Sequence, residues 1–264
     1  MSQIGAARFR ALLWKEIREH RWPAAGVAII LILLAVAIPP LYPFLTGMIK
    51  NIQFEEQLRQ LPWQLRGQLE ATIGSFEGYA YSNWFKNLYQ LGMILVLLIG
   101  APLVASELAF GTIDFLASKP VTHGEIIGAK LAAGAILIAG VLILPDITLW
   151  ISCLAWGETI NLATILTGSI PLYLGFVLAL EAAAILSMTI GDSWKAAGVL
   201  IGISLILGIP GWIPGYRKFS IFSYMDAAPI WMQGIFPWSA ILGLLLGILV
   251  LFIIALRLFE IRDF

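Results

Sequence analysis

Six runs of mainly apolar residues constrain this chain more than any other feature in it. An α-helix rises 1.5 Å per residue and the hydrocarbon core of a bilayer is about 30 Å thick, so a crossing takes about 20 such residues. The runs lie near 23–41, 88–105, 131–155, 163–189, 196–213 and 238–256. Lipid offers backbone N–H and C=O groups no partner, and each run must therefore satisfy its own as a helix. The expected fold is an all-α membrane protein with six transmembrane helices. Trp22, Trp84, Trp150, Trp156, Trp212 and Trp238 stand near the ends of the runs, where interfacial anchors belong. Composition points the same way: 60% of the 264 residues are hydrophobic and 12% charged, against about 25% charged in soluble domains.

Several function classes fall away on charge and motif. Sixteen basic and sixteen acidic residues cancel, leaving no global field to attract nucleic acid. The single cysteine, Cys153, lies in an apolar run and reads as a small buried hydrophobe, so neither a disulfide framework nor a zinc site is expected. His20 and His123 are far apart and show no metal-pair spacing, and no metal site is assigned. There is no Gly-x-Ser-x-Gly elbow and no phosphate-binding G-x-x-x-x-G-K-[ST] loop; Gly128-Ala129-Lys130 is only superficially similar to one. No catalytic residue is assigned to this chain, and any ATP that drives it belongs to another subunit.

Orientation follows from Lys and Arg. With the N-terminus inside, the cytoplasmic set is Arg8, Arg10, Lys15, Arg18, Arg21, Lys119, Lys130, Lys195, Arg257 and Arg262. The outer set is Lys50, Arg59, Arg66, Lys86, Arg217 and Lys218. Ten against six, with the densest cluster beside the first span, puts both termini in the cytoplasm. Ala35-Val36-Ala37 resembles a signal-cleavage site, but the charged segment before it is long, and a retained first span is expected.

Residues 6–21 are amphipathic, with Phe9, Leu12, Leu13 and Ile17 at helical spacing. They read either as a topology anchor or as an elbow helix lying in the interface with its basic side toward anionic headgroups. Residues 46–86 form an outer loop in which Leu58, Leu61, Leu65 and Leu69 recur at helical intervals and Pro62 suits a first turn. Residues 214–236 are aromatic and poor in charge; between a plain aromatic belt and a half-inserted hairpin, partial insertion is the expectation. No internal repeat is visible, nor matching interrupted helices of the inverted-repeat kind.

Two acids fall inside spans: Asp146 in "LILPDITLW" and Glu181 in "LALEAAAIL". Each costs about 3 kcal/mol on insertion scales, which makes them candidates for a translocation path. Asp146 is expected in the outer half of the membrane and Glu181 in the inner half, so a single shared site is not expected. Pro145 and Pro171 are candidate kinks.

The cytoplasmic connection between the second and third spans, 106–130, holds the densest pattern. It breaks at Ser118-Lys119-Pro120 and restarts at Thr122, whose hydroxyl is placed to cap a new helix with Glu125 completing the capping box. A short helix rigidly joined to two spans acts as a lever. The residues Glu107, Gly111-Thr112, Leu116, Ser118, Pro120, Ile126, Gly128 and Lys130 resemble the signature region of the ABC-2 type permeases, the membrane subunits of ATP-binding-cassette exporters. "LLWKEIREHRW" looks like that family's elbow helix and "FEIRDF" like its tail. His123 stands where an arginine is frequent in the family.

The resemblance implies a single transmembrane permease domain over 1–264 and a coupling helix in which Ser118, Lys119, Pro120, Val121, Thr122, His123, Glu125 and Ile126 dock on a separately encoded ATP-binding subunit. Val121 and Ile126 would fill a pocket there, with Lys119, His123 and Glu125 around it. It further implies no cofactor on this chain, ATP and Mg on the partner subunit, a second permease subunit (a copy or a paralogue), a prokaryotic cytoplasmic membrane and no nucleic-acid partner. An ion-coupled secondary transporter using Asp146 or Glu181, and a non-transporting relay to an outer-face partner, are the other classes the sequence allows.

Overall fold

Hydrophobic runs of this length have one stable answer in lipid, and the chain adopts it. The computed structural model describes residues 3–51, 74–111, 122–213 and 215–261, and the regular structure among them is helical. The long helices are α1 (Gln3–Asn51), α2 (Phe76–Gly100), α4 (His123–Ala155), α5 (Leu162–Ile190), α6 (Ser193–Trp212) and α8 (Trp238–Ile261). Two short ones, α3 (Ala105–Ala109) and α7 (Ala228–Gln233), sit in the connections. Six helices among the described residues are long and apolar enough to cross a membrane, one for each predicted run.

The N-terminal segment differs from an interfacial elbow. Residues 6–21 are not set apart from the first span; they are the opening turns of α1, which runs for 49 residues. That is about 73 Å at 1.5 Å per residue, more than twice the hydrocarbon thickness. The reason lies in its buried stripe. Glu16, His20, Ala24, Val27, Leu31, Ala35 and Ile38 are all buried, in steps of three and four that keep one face inward. Most of its packing is against α4, with Phe9 reaching Gly128. A flat elbow would pull Glu16 and His20 off that face. Pro23, Pro39, Pro40 and Pro43 lie within the helix without ending it.

The helix ends follow local chemistry. Thr122 begins α4 with the predicted capping box: its Oγ1 accepts from the Glu125 amide at 3.2 Å, and Glu125 Oε2 accepts from the Thr122 amide at 2.9 Å. Asn161 and Asp192 cap α5 and α6. Gly191 closes α5 at φ +70°, a left-handed conformation that costs glycine little.

Contacts between helix ends sort the bundle into two poles. At one, Phe9 meets Gly128, Leu108 lies near Gly191, and His123 stacks edge-on against Phe259 at 5.7 Å. At the other, the Tyr81 hydroxyl accepts from the Asn161 amide at 2.9 Å, and Tyr42 packs on Phe76 and Tyr79. Between the poles, small residues let helices approach closely; a Cβ on Gly92 would lie 2.2 Å from the Phe176 ring.

The aromatic segment folds back onto the second pole. It holds two 3-10 turns, Arg217–Phe219 and Ile221–Met225, and then α7. Met225 is buried against Gly175, Trp231 packs on Tyr81 and Phe222 on Tyr89. It is therefore seated on α2 and α5, without the two-helix hairpin that the partial-insertion reading pictured. Of the predicted outer loop, residues 46–51 extend α1 and 76–86 begin α2; Leu58 through Leu69 lie outside the described residues.

Candidate functional site

The first pole carries a buried ionic cluster. Lys15 and Glu16 come from α1, Glu107 from α3 and Lys130 from α4. Lys130 Nζ donates to Glu16 Oε1 and Oε2 at 3.1 and 3.2 Å and lies 3.0 Å from Glu107 Oε1. Lys15 Nζ sits 3.1 Å from Glu16 Oε1 and 2.8 Å from Glu107 Oε1. The four side chains thus close a ring of alternating charge, Lys130–Glu16–Lys15–Glu107, in which every ammonium bridges both carboxylates. Lys130 and Glu16 are each 2% exposed and Glu107 is 5% exposed, while Lys15 closes the ring from the solvent side with 43% of its side chain exposed. Charges as far from water as the first three persist only with such mutual compensation. His20 Nε2 lies 4.0 Å from Glu16, and Glu19 is 3.6 Å from Lys15 at the open side.

Ser187 fixes the approach of Glu107 to this ring. The chain leaves helical geometry at 101–104, around Pro102, before α3 restarts. Such a break strands backbone groups that lipid cannot satisfy. Ser187 Oγ, fully buried on α5, accepts from the Val104 and Ala105 amides at 3.1 and 2.8 Å and donates to the Ala101 carbonyl at 2.8 Å.

A second polar cluster lies sixteen residues further along α4, about 24 Å away. The Asp146 carboxylate is fully buried. Trp84 Nε1 on α2 donates to Oδ1 at 2.7 Å, and Ser169 Oγ on α5 donates to Oδ2 at 2.7 Å. Three spans are thereby pinned through one side chain. Trp84 is a correction to the sequence reading: it is not an interfacial anchor but a fully buried donor. Trp22, Trp156, Trp212 and Trp238 are exposed, as anchors should be.

Glu181 belongs to neither cluster. It is buried on α5, twelve residues or about 18 Å beyond Ser169, and its Oε2 has no hydrogen-bond partner. Asp146 and Glu181 are thus well separated along the bundle, as expected from the sequence.

The coupling residues divide into three groups. Thr112, Ser118, Lys119, Pro120 and Val121 lie outside the described residues. Thr122 and His123 are exposed at the head of α4, while Glu125 spends its carboxylate on the cap. Ile126 is turned into the bundle and 4% exposed, a place that leaves it supporting the helix rather than offering itself to a partner's pocket. Gly111 adopts φ +63° two residues after α3, Gly128 lies against Phe9, and Glu107 and Lys130 meet in the ring.

Sequence reasoning named Glu107 and Lys130 but passed over Lys15, Glu16, Ser169 and Ser187. The apolar period of the first span, followed backwards through Leu31, Val27 and Ala24, lands on His20 and Glu16 and marks them as inward-facing; the two serines carry no comparable period. Compared with known proteins, the chain matches no family model and no curated sequence.

Proposed function

We propose that this chain is the permease subunit of an ATP-binding-cassette transporter of the ABC-2 exporter type, driven by a separate ATP-binding subunit that docks on residues 118–125 of the predicted coupling helix. The observation that carries the reading is the union of sequence pattern and geometry around that connection. Glu107 and Lys130, two residues on which the family resemblance rests, frame the connection and approach to 3.0 Å. Beyond it, α4 starts on a firm capping box and continues for 33 residues. A push on the connection therefore acts on a stiff rod that spans the bundle. The partner supplies ATP and Mg; a second permease subunit completes the path, and Asp146 and Glu181 are its candidate polar lining. The membrane is the cytoplasmic one, with the first pole facing the nucleotide.

The test is a Lys119→Cys variant carrying a photo-crosslinker, in membranes that hold the neighbouring gene products. Cross-linking to an ATP-hydrolysing subunit, with labelling of position 119 only from the cytoplasmic side, is the expected result. Labelling from the exterior alone, or transport that persists with no ATPase present, overturns the assignment.

A second reading, an ion-coupled transporter, draws on Glu181, whose buried Oε2 has no hydrogen-bond partner. Transport that follows an ion gradient and is abolished by Glu181→Gln favours it.

A further inference from the structure

We propose that the Lys130–Glu16–Lys15–Glu107 ring is the joint that holds α3 against α1 and α4, and that a displacement of the 112–121 connection enters α1 through it. The idea that a partner applies the load rests on the function proposed above; the joint itself does not.

Four observations lead there. First, α3 is only five residues long, too short to hold itself in place by its own helical hydrogen bonds. Second, its polar tether to α5 is the Ser187 hydroxyl, which grips the chain at 101–105, while Leu108 adds an apolar contact near Gly191; neither holds the Glu107 carboxylate. Third, the Glu107 carboxylate is held by both ring lysines, one from α1 and one from α4, across sequence separations of 92 and 23 residues. Fourth, Gly111, two residues past α3, adopts a left-handed conformation that costs glycine little. Among the described residues, Glu107 is the buried charge nearest in sequence to the 112–121 connection.

The alternation decides what kind of joint this is. Each carboxylate faces both ammonium groups, so no single pair stands alone. Moving Glu107 out of the ring leaves the buried Lys130 with Glu16, while the exposed Lys15 keeps both Glu16 and Glu19; a buried ammonium short of a counter-charge is costly. The joint is consequently two-state: closed with four members, or open and exposed to water. On this account the N-terminal helix is an output of the coupling movement, because Lys15 and Glu16 supply half the ring and Glu16 opens the buried stripe that continues to Ile38.

The experiment uses the full chain with spin labels at Arg18→Cys on α1 and Phe110→Cys beside α3. Both sites are exposed, and the one native cysteine, Cys153, is buried. The native ring should give one narrow distance. The neutral pair Glu107→Gln with Lys130→Met should broaden and lengthen it. Exchanging only two charges, Glu107→Lys with Lys130→Glu, should fail to restore it, because the introduced lysine then faces Lys15 and the introduced glutamate faces Glu16. Inverting all four members together with Glu19, which pairs with Lys15 at 3.6 Å, should restore the narrow distance. Recovery by the two-charge exchange overturns the ring in favour of an isolated pair, and an unchanged distance in the neutral variant overturns the joint altogether. If these arms hold and no ATP-binding subunit is found, the coupling role falls and the joint stands. If such a subunit is present, a distance that stays fixed during turnover refutes load transfer through the ring.

Discussion

The two polar clusters of this bundle are built on opposite principles. At the first pole, four charged groups cancel one another in a closed ring; 24 Å along the same helix, about sixteen residues on, a lone carboxylate is held by two neutral donors, Trp84 and Ser169. A charge ring has no good intermediate, since losing one buried member leaves its buried neighbours short of a counter-charge. A carboxyl held by an indole and a hydroxyl tolerates change more gently, because an amide of the same shape can take its place. The first arrangement suits a joint that is either made or broken. The second suits a pin that keeps α2, α4 and α5 in register while the other end moves.

The contrast can be broken experimentally in order of effect. Lys130→Met leaves two buried carboxylates with a single half-exposed lysine between them, and should lower unfolding stability in detergent by about 3–5 kcal/mol; adding Glu107→Gln should return much of that loss. Asp146→Ala leaves the Trp84 and Ser169 donors without an acceptor and should cost about 1–3 kcal/mol for each group stranded. Asp146→Asn should lie within about 1 kcal/mol of the native chain, because the amide oxygen accepts from Trp84 and its nitrogen donates to Ser169. If the asparagine is as damaging as the alanine, the pin depends on charge and the contrast is lost. Ser187→Ala strands two amides at the helix break and should cost about 1–3 kcal/mol, read as faster hydrogen exchange at Val104 and Ala105. Smallest is Thr122→Ala, about 1 kcal/mol for a lost cap, visible as fraying of the first turn of α4 and confined to it.

Much of this architecture is legible from the sequence because it rests on local rules. Hydropathy marks the six helices long and apolar enough to cross a membrane, since in lipid a long apolar run has one stable form. The Thr122 to Glu125 spacing announces a helix start, and the structure contains that capping box. Glu107 and Lys130 stand out as charges flanking apolar runs. Their ring partners are harder to see. Glu16 sits in a charged segment that looks solvated, and only the period carried back from the following span marks it as inward. Trp84 reads as an interfacial anchor because tryptophans gather at span ends; its acceptor lies 62 residues away in sequence. Ser187 works on a backbone break 83 residues distant, and nothing about a serine in an apolar run foretells that. The elbow reading of 6–21 weighed local amphipathicity without the inward pull that α4 exerts on the whole of α1. Pairings of this range are set by tertiary packing, which no local pattern encodes.

The most direct trial of the ring is a double-mutant cycle on Glu107→Gln and Lys130→Met, scored by equilibrium unfolding of the purified chain in one detergent. A shared buried network predicts that the double variant is more stable than the sum of the single losses, with an interaction of about 1–3 kcal/mol. Simple additivity of the two losses would contradict it.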